Sequence, residues 1–136
     1  MASLTTIEGI GAKYAKQLKK VGIRGTVSLL NAGCTKKGRK ALAKESGISE
    51  KLILEWCNRA DLMRVKGVGE EYSDLLEHAG VDTVKELRTR KPANLHAKML
   101  EVNSARKVGL VRRPPSLSEV EGWVANAKTL DAVMTY

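Results

Sequence analysis

The chain has 136 residues and a mass of 14.8 kDa, room for one compact domain or two very small ones. Its 24 Lys and Arg against 15 Asp and Glu give a net charge of +9 and a pI near 9.7, and 43% of its residues are apolar, enough to bury a core and to exclude a disordered tail. Two cysteines, Cys34 and Cys57, with no Cys-x-x-Cys spacing, and two histidines are too few parts for a disulfide framework or a tetrahedral zinc site; no metal or cofactor is expected.

The opening MASLTTIEGI carries neither a basic segment nor an apolar stretch of signal-peptide type, and apolar runs such as Leu52-Ile53-Leu54 fall far short of a membrane span. No membrane association and a cytoplasmic location are therefore expected. A Gly-Ile-Gly turn at residues 9–11 precedes a helix over 12–21, where Tyr14, Ala15, Leu18 and Val21 share one arc and Lys13, Lys16 and Lys20 the opposite one. Gly22 suits the left-handed stop of that helix and Thr26 the N-cap of a short helix over 27–32, which Gly33 ends. Thr35 caps a helix over 36–46 that Gly47 closes. Ser49 caps the next, in which Leu52, Ile53, Trp56, Cys57, Ala60 and Met63 recur at helical spacing.

A second Gly-Val-Gly turn at 67–69 leads into a helix over 70–79. Thr83 caps a short helix that Pro92 breaks, and residues 94–107 form another with Leu95, Met99 and Val102 inside. Pro114 and Pro115 precede Ser116-Leu117-Ser118-Glu119, a capping-box pattern that opens an amphipathic C-terminal helix striped by Leu117, Val120, Val124, Ala127 and Leu130. No segment alternates like a strand, so the expected fold is all-α. The expected domains are 1–63, 64–113 and a C-terminal helix over 114–136 packing on the core.

Charge is distributed in blocks. Residues 1–60 carry 12 basic and 4 acidic side chains, residues 61–87 carry 3 and 7, and residues 88–113 carry 8 and 1. Two basic blocks flanking an acidic one, in a chain with a core, point to a polyanionic partner. The second basic block comprises Arg88, Arg90, Lys91, Lys98, Arg106, Lys107, Arg112 and Arg113.

The chain also repeats itself. IEGIGAKYAKQLKKVGIRGTVSLL at 7–30 aligns with VKGVGEEYSDLLEHAGVDTVKEL at 65–87 at an offset of 58, with Gly25 as the single insertion. Gly9/Gly67, Gly11/Gly69, Tyr14/Tyr72, Leu18/Leu76, Gly22/Gly80, Thr26/Thr83, Val27/Val84 and Leu30/Leu87 are identical, the signature of a duplicated supersecondary unit.

These paired turns, with Ala15 and Leu18 after the first and Ser73 and Leu76 after the second, resemble the hairpins of the helix-hairpin-helix superfamily. Taken whole, the tandem arrangement is similar to a bacterial family of small helix-hairpin-helix proteins catalogued as a domain of unknown function. Ala12 and Glu70 stand where the superfamily often has proline, and only six residues precede Ile7, so the helix entering the first hairpin is expected to be very short or missing. The resemblance implies binding of the DNA, or RNA, phosphate backbone without sequence preference, through backbone amides of the hairpin.

The residues support that chemistry: glycines let N–H groups approach a phosphate, the following helix presents the positive end of its dipole, and lysines release counter-ions. The expected binding residues are Gly9, Ile10, Gly11, Lys13, Lys16 and Lys20, with Lys36, Lys37, Arg39 and Lys40 gripping further phosphates. In the second copy Lys13, Lys16 and Lys20 become Glu71, Asp74 and His78, and Ala12 becomes Glu70. Gly67, Val68 and Gly69 are accordingly read as a structural hairpin. The alternative expectation is a protein-interaction module whose acidic face, Glu70, Glu71, Asp74 and Glu77, meets a basic partner. His78 and His96 lack ligand-spaced partners, and no nucleophile-and-base arrangement emerges, so neither a metal site nor catalysis is expected.

Overall fold

A computed structural model describes residues 3–105 and 111–136, so Arg106 and Lys107 of the second basic block lie outside the described residues. Among the described residues the chain is all-helical, with a single antiparallel bridge between Ser3 and Gly25. A 3-10 turn over Leu4–Thr6 is followed by α1 (Ala12–Lys20), α2 (Thr26–Gly33), α3 (Lys36–Ser46), α4 (Glu50–Leu62), α5 (Glu70–His78), α6 (Val84–Leu87), α7 (Pro92–Ser104) and α8 (Leu117–Ala127).

Local chemistry sets most of these boundaries. The Thr35 hydroxyl accepts from Gly38 N–H at 3.0 Å, and Ser49 and Thr83 cap α4 and α6 in the same way. At α8, Ser116 and Glu119 exchange side-chain and backbone bonds, Glu119 N–H to Ser116 Oγ and Ser116 N–H to Glu119 Oε1, both at 3.1 Å. Helices α1 and α5 end identically: Ile23 N–H reaches Leu18 O and Gly22 N–H reaches Lys19 O, while Val81 and Gly80 repeat those bonds to Leu76 and Glu77.

Three local expectations are corrected. Gly25, not Thr26, is the N-cap of α2, with its N–H donated to Ser28 Oγ at 3.1 Å, and Thr26 is buried as the first helical residue. The helix runs one residue past the expected end at 32, with Gly33 as its last helical residue, and Gly33 is glycine because a Cβ there would collide with Cys57 Sγ. Pro92 starts α7 rather than merely breaking its predecessor, since the first helical position needs no N–H and prefers the fixed proline φ.

The chain divides into two compact units, residues 1–61 with 133–136, and residues 62–132. The expected segments 1–63, 64–113 and 114–136 are cut differently: α8 is an integral helix of the second unit, and the last four residues belong to the first. In the first unit Leu4, Ile7, Leu18, Leu29, Ile53 and Trp56 are fully buried. Its terminal segment is fastened by Thr135 N–H to Cys34 O at 2.8 Å and by buried Met134. The second unit encloses Val65, Leu75, Leu76, Leu87, Met99 and Val120, closed by Trp123 and Val124 of α8.

Candidate functional site

Each glycine turn is built from the same bonds. Ile10 N–H donates to Ile7 O at 3.1 Å, and Val68 N–H to Val65 O at 3.1 Å. These four-residue turns place Gly9 and Gly67 third, at φ +95° and +89°, the position where a type II turn requires positive φ. The flanking Ile7, Ile10, Val65 and Val68 are buried and hold the turns on their cores.

Beneath each turn lies a tryptophan. A Cβ on Gly9 would stand 3.1 Å from Trp56 Nε1, and one on Gly67 would stand 3.1 Å from Trp123 Nε1. Tyr14 packs on Trp56 at 5.0 Å between centroids and Tyr72 on Trp123 at 5.1 Å. Three residues beyond each tryptophan a side chain bonds the turn backbone: Arg59 Nη1 to Glu8 O at 3.5 Å, and Asn126 Oδ1 from Lys66 N–H at 2.9 Å. Seven residues before each tryptophan stands the serine cap of its helix, Ser49 or Ser116. The duplication therefore spans four helices per unit, with α4 and α8 as equivalents, and not the hairpins alone.

The second glycine of each turn, Gly11 or Gly69, is the N-cap of α1 or α5 in extended conformation and has no side chain to offer the helix. The first main-chain bonds of these helices are Ala15 N–H to Gly11 O and Ser73 N–H to Gly69 O. The N–H groups of Ala12, Lys13 and Tyr14 therefore have no acceptor among the described residues. On α1 they are joined by exposed Lys13, Lys16 and Lys20. A lysine in the first turn opposes the helix dipole by about 0.3–1 kcal/mol, a local cost that a bound anion would reverse. On α5 the same turn carries exposed Glu70 and Glu71, which complement the dipole without any ligand.

Helix α1 packs on α3, where Gln17 Nε2 donates to Ser46 O at 3.5 Å, so the second lysine group sits in the same unit. Lys36, Lys37 and Lys40 are exposed. Arg39 is not: it is 4% exposed, donates from Nη1 to Gly33 O at 2.9 Å and from Nη2 to Thr135 O at 2.7 Å, and stacks over Tyr136. It shares the inner face of α3 with Leu42, three residues on. Arg39 is therefore withdrawn from the expected phosphate contacts and assigned to the core. Exposed Lys19, Arg24, Lys44 and Lys51 add to this unit's cations beyond the expected contacts; the excess of basic residues over 1–60 signals them.

The second unit spends much of its charge internally. Arg90 pairs with Glu86 at 3.0 Å and donates to Gly80 O, Lys98 lies 3.9 Å from Glu101, and Arg113 grips Glu119 with bonds of 2.9 and 3.0 Å. The Arg113 hydrogen bonds hold the Glu119 carboxyl down at about 2, and they raise the guanidinium in turn. Tyr72 Oη donates to Arg113 O at 2.9 Å, and burial is the main reason its own pKa is raised. Of the acidic face, Glu70 and Glu71 are exposed, whereas Asp74 and Glu77 are half-buried and Asp74 meets His78 Nδ1 at 3.6 Å. His96 is half-buried with its Nε2 bonded to Pro115 O at 2.9 Å.

Among the described residues no three His, Cys, Asp or Glu side chains are grouped to hold a metal, and no helix is long and apolar enough to cross a membrane. The described residues thus form two four-helix units, each with a glycine turn seated on a tryptophan. The model of the family described as Domain of unknown function (DUF4332) matches residues 8–130, and the chain belongs to that family. No curated protein and no solved structure matches it.

Proposed function

We propose that the first unit binds the phosphate backbone of nucleic acid, DNA in the first instance, without reading its sequence, as the helix-hairpin-helix resemblance implies. One observation carries this reading. Two turns with the same backbone bonds, the same positive φ and the same tryptophan support differ in surface charge, and of the two helices that follow them α1, not α5, combines uncapped N–H groups with exposed lysines. A phosphate oxygen at Gly11–Lys13 would take up the N–H groups, and Lys16, Lys20, Lys36, Lys37 and Lys40 would neutralise neighbouring phosphates. Such a protein acts by binding and not by catalysis, in the cytoplasm on the nucleoid.

The structure's withdrawal of Arg39 leaves six lysines in this set. If each neutralised one duplex phosphate, the slope of log K against log salt would be about −5, a loss of about a thousandfold from 50 to 200 mM salt. Fluorescence anisotropy of labelled single-stranded and duplex DNA tests this alongside Lys13→Glu/Lys16→Glu. A steep slope that flattens by about two in the variant supports the reading, and absence of binding at 50 mM salt overturns it. Glu71→Lys is expected to leave DNA binding intact or tighter; the alternative, an acidic second hairpin that docks a basic protein, predicts no DNA binding by the wild type and loss of the protein partner in Glu71→Lys.

A further inference from the structure

In the first unit a cleft of about 320 Å³ opens between the starts of α3 and α4, walled by Lys36, Glu50, Lys51 and Leu54 and by the ring of Tyr136. It lies within the size range of small-molecule sites, about 300–1,000 Å³. Tyr136 is 64% exposed, yet it is held in place: its hydroxyl bonds Asn58 Oδ1 at 3.1 Å, and the Arg39 guanidinium stands 5.6 Å from its ring centre. An aromatic ring ordered at its hydroxyl and on one side, and still presented to solvent, offers a flat surface at little further cost in side-chain freedom. Lys36 and Lys51 form no ion pair among the described residues and border the same space as the ring. Arg39, with both terminal nitrogens bonded to carbonyls, supports the floor and is not a ligand contact.

We infer that this cleft is a site for one nucleotide unit, the phosphate held between Lys36 and Lys51 and the base laid against Tyr136 and Leu54. A planar base needs an apolar or aromatic platform and a phosphate needs cations within the length of one sugar; the cleft supplies both on adjoining walls. Glu50, the acidic side chain of the wall, accepts from a sugar hydroxyl or base amine and disfavours a second phosphate. The same chemistry is presented by a free mononucleotide and by an unpaired nucleotide of a strand. The inference goes beyond the hairpin reading and uses none of its residues except Lys36.

The experiment is a ¹H–¹⁵N NMR titration of the full chain with adenosine 5′-monophosphate, with adenosine and with inorganic phosphate, on wild type, Lys51→Glu and Tyr136→Leu. Shifts at Lys36, Lys51, Leu54 and Tyr136 with the monophosphate, at least tenfold weaker for either fragment and for either variant, are the expected result. Phosphate alone binding as tightly as the monophosphate, shifts confined to residues 11–20, or no saturable shift overturns the site. Lys13→Glu/Lys16→Glu is expected to keep full monophosphate affinity, so failure of the hairpin and failure of the cleft are read separately. Displacement is read in Lys13→Glu/Lys16→Glu, so that DNA held at the hairpin does not compete through Lys36: displacement of the bound monophosphate by a single strand but not by a blunt duplex identifies the strand's nucleotide as ligand, and displacement by neither identifies the free one. Equal displacement by the blunt duplex overturns the single-nucleotide reading.

Discussion

Replacing Gly9 by alanine tests whether the turn is fixed by backbone and tryptophan together. At φ +95° an L-residue pays roughly 1–2 kcal/mol for the left-handed region. The new Cβ would also press to 3.1 Å on Nε1 of Trp56, which is fully buried and has no free space to retreat into; forced repacking of this kind costs about 1–3 kcal/mol. Stiffening the unfolded chain returns about 0.4–1 kcal/mol, leaving a net loss of about 1–4.6 kcal/mol, centred near 3. Gly67→Ala is expected to lose the same amount, because its φ of +89° and its 3.1 Å approach to Trp123 repeat the geometry. Gly11→Ala and Gly69→Ala are the controls: their φ values of −87° and −109° suit any residue and a Cβ there meets nothing within 4 Å, so they should lose no more than the difference between glycine and alanine at an N-cap, about 1 kcal/mol or less. Urea unfolding followed by far-UV circular dichroism and tryptophan fluorescence gives all four values. A Gly9→Ala protein as stable as wild type, or a Gly11→Ala protein as damaged as Gly9→Ala, would refute the reasoning.

Arg39→Ala removes two charge-assisted bonds to carbonyls and should destabilise the chain by about 2–3 kcal/mol, while the salt slope of DNA binding stays as in wild type; a slope shallower by one would return Arg39 to the phosphate contacts. Burial pushes the Cys57 thiol up to about 12 from an ordinary 9.0. The unfolded thiol therefore ionises first, and stability that is complete below pH 9 falls by up to about 1.4 kcal/mol per unit as pH rises toward 12. Urea titrations at pH 8 to 10.5 on wild type and Cys57→Ala read the difference, and identical pH slopes would contradict it. Glu119, held at about 2 by Arg113, contributes to stability above its ordinary 4.5 and loses that contribution as pH falls toward 2. A carboxyl ¹³C titration midpoint near 4.5 would show that the Arg113 bonds do not form in solution.

The helices were legible in the sequence wherever a cap and a glycine bracketed an amphipathic run, as for the helix over 36–46 between Thr35 and Gly47. The hairpin duplication was legible because Gly9 and Gly67, and Gly22 and Gly80, share a positive φ that favours glycine. The equivalence of Trp56 and Trp123 was not, since the offset is 58 at the glycines but 67 at the tryptophans and an alignment that stops at residue 87 never reaches the second one. Three-dimensional contact with Gly9 and Gly67 restores the match. Arg39 was misread for a different reason: four cations in five residues look like a solvated face, and a buried arginine is betrayed only by the carbonyls of Gly33 and Thr135 that receive it, the second of them 96 residues away. The cleft beside Tyr136 depends on the same long-range closure and leaves no local signal.

The two hairpins serve as controls for one another, because duplication has held the backbone constant while the charge changed. Between Lys13 and Glu71 the sign reverses at matched positions in the first turn of the helix, and that reversal shifts the energy of an anion about 4 Å away by about 2 kcal/mol in water. That amounts to roughly thirtyfold in affinity, before salt screens the exposed groups. Backbone amides of equal geometry cannot offset a difference of that size, so a phosphate that found both turns would occupy the first. What the second turn keeps is the part of the motif that faces inward: the buried Val65 and Val68, the Gly67–Trp123 contact and the Asn126 bond to Lys66. Those are the features that fold a unit. The lysines and open amides of α1, which contribute nothing to packing, are the features that folding alone does not explain.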